Sequence, residues 1–186
     1  MTYTTSDFSS DKPNVLVIIG SASSASSNAK LMELLAAMMS DDLLFTIFDD
    51  LGSLPHFDPS KSESLPVRVA ELLGRVAVAP AVIFCSPEYI FSIPARLKNL
   101  LEWCVSTTVF LDKPVALITA SADGQQGHAQ LRLIMETLGA RLSEGTELII
   151  PGIKGKFDEG GVLNDNELLI SLMGLGSALR ESIMRA

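Results

Sequence analysis

A run of hydroxyls ending in an amide, Gly20-Ser-Ala-Ser-Ser-Ala-Ser-Ser-Asn28, follows an apolar stretch and precedes a helical pattern. At a helix N-terminus such a run gathers free backbone N–H groups, the positive end of the helix dipole and neutral side-chain donors around one point. A phosphate monoester suits that arrangement, with Ser21, Ser23, Ser24, Ser26, Ser27 and Asn28 as donors. The spacing is not G-x-G-x-x-G, so the loop is no dinucleotide fingerprint. Nor is it G-x-x-x-x-G-K-[ST], which excludes a P-loop. A Ser-rich turn that merely caps a helix is the plainer reading of this loop taken alone.

Two further loops carry candidate groups. In Ser86-Pro-Glu-Tyr-Ile-Phe-Ser-Ile-Pro94, two prolines stiffen the chain on either side of Glu88 and Tyr89. Its backbone amides could meet the edge of a planar heterocycle, and Tyr89 or Phe91 could cover a ring face. A structural crossover with Tyr89 at a subunit contact is the alternative. In the third loop, Ser121-Ala-Asp-Gly-Gln-Gln-Gly127, the glycines permit close backbone approach. His128 follows directly and reads as a cap or surface residue rather than a catalytic base. His56 lies in a Pro-flanked loop without an assignable partner, and neither a Ser-His-Asp arrangement nor G-x-S-x-G is legible. Cys85 and Cys104 read as buried, reduced thiols, and the two Cys and two His are too scattered for a zinc site.

The elements between these loops explain why they would meet. Residues 14–19 (NVLVII) and 81–85 (AVIFC) are continuous apolar runs, as strands buried on both faces read. Residues 44–48, 115–119 and 148–150 supply three more short strands. Helices are predicted over 29–39, 67–78, from Pro94 to Val105, over 130–138, and along the stripe Leu168, Leu172, Leu175, Leu179, Ile183. Residues 54–64 and 152–166 read as loops. Strands alternating with helices predict a doubly wound α/β sandwich on a parallel sheet. In such sheets ligands bind beyond the carboxyl ends of the strands, which is where all three loops lie.

Composition narrows the function classes. The chain has 186 residues, 47% of them apolar, which suits one domain with a full core over 13–186 behind a Ser/Thr-rich flexible tail over 1–12. A formal net charge of −8 excludes a general nucleic-acid binder. No apolar stretch approaches the roughly 18 to 20 residues that span a bilayer, and the N-terminus lacks the features of a signal peptide. A cytoplasmic location is the expectation.

The motifs of the three loops resemble those of the NADPH-dependent FMN reductases, a flavodoxin-like family that includes chromate and quinone reductases and FMN-dependent azoreductases. Gly20, Ser21, Ser26 and Asn28 fall on a G-S-x-R-x-x-S-x-N pattern. Pro87, Glu88, Tyr89, Ser92, Pro94, Leu97, Lys98, Asn99, Glu102 and Trp103 fall on P-E-Y-N-x-S-x-P-x-x-L-K-N-x-x-[DE]-W, the most specific of the matches. K-P-V-A-L at 113–117 with Ser121 and Gly124, LPHFDP at 54–59 and KFDEGGVL at 156–163 extend the similarity from about residue 14 to 166.

The resemblance implies a three-layer sandwich with a five-stranded parallel sheet in the order 2-1-3-4-5. It implies FMN, with its phosphate on Ser21, Ser23, Ser26, Ser27 and Asn28. The isoalloxazine would then lie against Pro87, Glu88, Tyr89, Ile90, Ser121, Asp123 and Gly124. NADPH or NADH would pass a hydride to the flavin, which would then reduce a small-molecule quinone, flavin, azo or metal-oxyanion acceptor. No catalytic side chain is required, because the protein positions the rings. A homodimer or homotetramer is also implied. Three positions depart from the pattern: Ser23 replaces an arginine, Ile90 an asparagine, and Asp123 stands beside Gly124 in place of a glycine pair. Together they predict a weaker hold on FMN and an unaltered fold. Two other readings remain at this level: a flavodoxin-like electron carrier without NADPH activity, and a flavin-free ligand-binding domain.

Overall fold

A computed structural model describes residues 12–23, 26–158 and 160–186. The tail expected over 1–12 therefore lies outside the described residues except for Lys12, and so does Ser24. Five strands form one parallel sheet: β1 (Asn14–Ile19), β2 (Leu44–Phe48), β3 (Val82–Ser86), β4 (Pro114–Ser121) and β5 (Arg141–Pro151). Their order is β2-β1-β3-β4-β5, as the resemblance implied. The helices are α1 (Ser27–Met38), α2 (Val67–Val78), α3 (Ala95–Trp103), α4 (Gln125–Thr137) and α5 (Asn166–Met184).

The apolar patterns explain the layers. Along β1, Val15, Val17 and Ile19 point into a core shared with Leu31 and Leu35 of α1 and Leu172 and Leu175 of α5. Leu16 and Ile18 point the other way, toward Val69 and Leu72 of α2, Leu97 of α3 and Leu131 of α4. A strand covered on both faces has no reason to alternate polar with apolar residues, which is why NVLVII is continuous. In α2 the buried positions Val69, Leu72, Leu73 and Val76 keep helical spacing.

From β1 the chain winds out to β2 and returns on the other side to β3. The loops leaving β1 and β3 consequently part, and a crevice opens between them. Gly20 ends β1 so close to β3 that an added Cβ would lie 2.3 Å from the Ser86 hydroxyl oxygen. Any larger residue would push the Ser-rich loop away from the crevice.

Some predicted boundaries move. Helix α1 begins at Ser27 rather than at residue 29, and Pro94 occupies the cap before α3 instead of its first turn. Helix α4 begins at Gln125, five residues before the predicted start, and so takes in Gly127 and His128. Gly124 at its cap has φ +104 and no side chain to cap with. The Glu88 carboxylate, 39 positions upstream, accepts the Gly127 N–H at 2.6 Å in its place. Strand β5 runs through 11 residues, not the three of 148–150. Its first half is polar and half-exposed, and its pairing with β4 is irregular between Val115 and Leu117. The 54–64 and 152–166 loops contain the short 3-10 turns Pro59–Lys61 and Ile153–Lys156. Among the described residues no helix is long and apolar enough to cross a membrane.

Candidate functional site

A cavity of about 430 Å³ opens at the carboxyl ends of the strands, within the range of roughly 300 to 1,000 Å³ common for small-molecule and cofactor sites. Ser21, Ser23, Ser26, Ser27 and Asn28 line it from the first loop, Pro87 and Tyr89 from the second, and Ala120, Ser121 and Ala122 from the third. Gly152, Ile153 and Lys154, just past β5, complete it. A groove of about 610 Å³ beside His56 and Arg96 is larger, but no loop from the end of β1, β3 or β4 reaches it.

The first loop is pre-set by its own hydrogen bonds. Ser26 caps α1 in extended conformation, its hydroxyl accepting the Asn28 N–H at 3.1 Å. The Ser21 hydroxyl accepts the Ser23 N–H at 3.2 Å. No acidic side chain occupies the first turn of α1, so nothing on that turn neutralises the positive end of the helix dipole. Buried Asn28 fastens the start of α1 to two strand ends: its side-chain amide donates to the Ala120 carbonyl at 3.2 Å and its oxygen accepts the Cys85 thiol at 3.3 Å.

The second loop is a two-residue hairpin. Tyr89 N–H donates to the Ser92 carbonyl at 2.9 Å, and Ser92 N–H donates back at 3.1 Å. Its tip residues, Ile90 and Phe91, have φ of +51° and +53°, the geometry that tight hairpins demand and that asparagine or glycine adopts most easily. Ile90 is 95% exposed and does not line the cavity. Its departure from the family pattern therefore appears as backbone strain at a solvent-facing tip. Glu88 also turns away, toward α4, and the Ser121 hydroxyl donates to its backbone carbonyl at 3.2 Å.

In the third loop Asp123 is exposed and does not line the cavity, although it directly follows the lining residues Ser121 and Ala122. Gly124 does not line the cavity either; it turns the chain into α4, and a Cβ there would meet the Thr119 methyl carbon at 3.1 Å. His128 is buried rather than at the surface. Its Nδ1 pairs with the Thr119 hydroxyl at 2.9 Å, and Nε2 lies 3.3 Å from Glu147, whose other oxygen accepts from Arg132 at 2.8 Å. Burial pushes the imidazole below its ordinary pKa while Glu147 pulls it back up. With Thr119 also buried, this row of groups ties α4 to β4 and β5 and leaves the imidazole without an open face to a substrate. The cysteines are free and buried as expected. Burial raises the Cys85 thiol far above its usual pKa and pushes Cys104 up to about 12, so neither forms a nucleophile near neutrality.

The sequence reading missed the contribution of 152–154. A glycine and a lysine directly after an apolar strand were the available signal, but their nearness to the first loop depends on β5 lying beside β4. The assembled site can take an anion at the α1 N-terminus and a flat ring toward Pro87 and Tyr89.

Residues 13–154 match the family model for NADPH-dependent FMN reductase. Among curated proteins, the NADH:(hydroxy)cinnamate reductase subunit CrdA of Vibrio ruber is 31% identical over 165 residues, covering 86% of this chain and 81% of that protein. A quinone reductase of Escherichia coli K12 is 27% identical over 184 residues, covering 95% and 98%. Among solved structures, FerB, a flavoenzyme NAD(P)H:(acceptor) oxidoreductase from Paracoccus denitrificans, superimposes with a TM-score of 0.82 at 26% identity, covering 93% of this chain and 98% of that one.

Proposed function

Because the chain belongs to the NADPH-dependent FMN reductase family, we propose that it is an NAD(P)H-dependent oxidoreductase holding FMN across the cavity at the strand ends and serving a small, planar acceptor of the quinone type. The observation that carries this reading is the convergence of three loops on one cavity, hydroxyls and a helix N-terminus at one side, Pro87 and Tyr89 at another.

The donor set fits the group. Ser21, Ser23, Ser26, Ser27 and Asn28 would surround its phosphate, and the uncompensated dipole of α1 favours a dianion there. Pro87, Tyr89 and the backbone of Ser121 and Ala122 would bound its ring system. When bound, FMN accepts two electrons from a reduced nicotinamide and delivers them to a second substrate. The chain's part is to orient the ring edge and to shield it from water with the half-exposed Tyr89. Among the described residues, Tyr89 and Lys154 carry the ionisable side chains that line the cavity. The relative named quinone reductase, matched along nearly its whole length, supports the choice of acceptor. A single FMN-binding domain over 13–186, a homo-oligomer and a cytoplasmic location complete the reading.

An absorption spectrum of the purified chain after FMN addition and desalting tests the cofactor. Retained visible flavin bands are expected, followed by NAD(P)H oxidation that is faster with a benzoquinone than with an azo dye or chromate. A chain that stays colourless and binds no FMN would sink the proposal.

A further inference from the structure

The phosphate loop of this chain contains no basic residue, because residues 20–28 hold only glycine, alanine, serine and asparagine. A phosphate monoester carries about −1.5 to −2 charges at neutral pH, and the chain itself is formally −8. Helix-terminal amides compensate such a dianion only in part, by about half an elementary charge. Of the residues lining the cavity, Lys154 alone is charged.

Its placement is built rather than incidental. Gly152 turns the chain at φ +64, and its N–H donates to the Ala122 carbonyl at 3.2 Å, tying the end of β5 to the third loop. Ile153 is buried and pins the 3-10 turn from below, while Lys154 stays exposed. The neighbouring Lys156 is neutralised by Asp165. Lys154 has no ion-pair or hydrogen-bond partner among the described residues, so its charge is available to a ligand.

We propose that Lys154 is the phosphate-fixing cation of this site, supplied from the end of β5 in place of a basic residue in the Ser-rich loop at Ser23. The inference rests on the FMN reading and adds a specificity determinant to it: Lys154 distinguishes the phosphorylated flavin from riboflavin. An ammonium is a point charge on a flexible stem, so it needs no fixed bidentate geometry to pair with a phosphate.

The test titrates apo-protein with FMN and with riboflavin by quenching of flavin fluorescence. Lys154→Met should weaken FMN about tenfold, leave riboflavin within about twofold, and flatten the salt dependence of FMN binding. Lys154→Arg should keep the wild-type preference, and Ser23→Arg in the Lys154→Met background should restore it. Equal effects of Lys154→Met on both flavins, or an effect on neither, would overturn the assignment. A wild-type chain that binds both flavins equally would also overturn it and leave the flavin site standing. One that binds neither would bring down the flavin reading as well.

Discussion

The Ser-rich loop and the segment 87–103 both match the family pattern, yet they relate to the cavity in opposite ways. Every polar residue described in the first loop lines the cavity. In the longer and more restrictive motif only Pro87 and Tyr89 do. Its other polar members bind protein. Glu88 caps α4, and the Ser92 hydroxyl donates to Gln130 at 2.7 Å. Asn99 donates to the Pro55 carbonyl at 3.0 Å and accepts the Phe57 N–H at 2.8 Å, and the Trp103 indole also donates to Pro55 at 3.0 Å. The motif thus clasps LPHFDP, which explains why the two segments go together. A strict pattern arises where one geometry constrains many side chains at once, whereas a phosphate accepts any sufficient set of donors.

Breaking the clasp should have the largest effect. Trp103 is buried edge-on against Phe57 with ring centroids 5.2 Å apart. Trp103→Ala should cost about 3–5 kcal/mol in urea unfolding of the apo-protein and leave the FMN-to-riboflavin preference of the folded fraction unchanged. Glu88→Ala comes next, at about 1–2 kcal/mol, because the start of α4 loses its only side-chain cap among the described residues. A loss of FMN preference in that variant would erase the division between the two regions. Ile90→Asn should act in the opposite direction and raise stability by about 1 kcal/mol, since asparagine tolerates a φ of +51° and the exposed isoleucine packs on nothing. No gain in the midpoint of unfolding would mean the tip is not strained.

Legibility followed the range of the forces involved. The bounds of β1, β2 and α2 could be read from the chain because burial on one or both faces writes a local apolar pattern. The first loop was legible for the same reason: its cap, hydroxyls and helix are consecutive. The start of α4 was not, since its stabilising carboxylate sits in another loop. Nor was the length of β5, an edge strand whose polar half is held by pairing with β4 rather than by burial. Lys154 could be placed only once the strand order was known.

The burial of both thiols has a chemical consequence for a protein proposed to handle quinones. Quinones are Michael acceptors, and a surface thiolate would add to them and arylate the enzyme during turnover. Here Cys85 lies beneath the sheet end, bonded to Asn28, and Cys104 donates to the Leu100 carbonyl at 3.3 Å, so neither thiol is exposed to an electrophilic acceptor. Its intact mass after brief exposure to a benzoquinone should show no thiol adduct, and an adduct at Cys85 would mean that the end of β3 opens in solution.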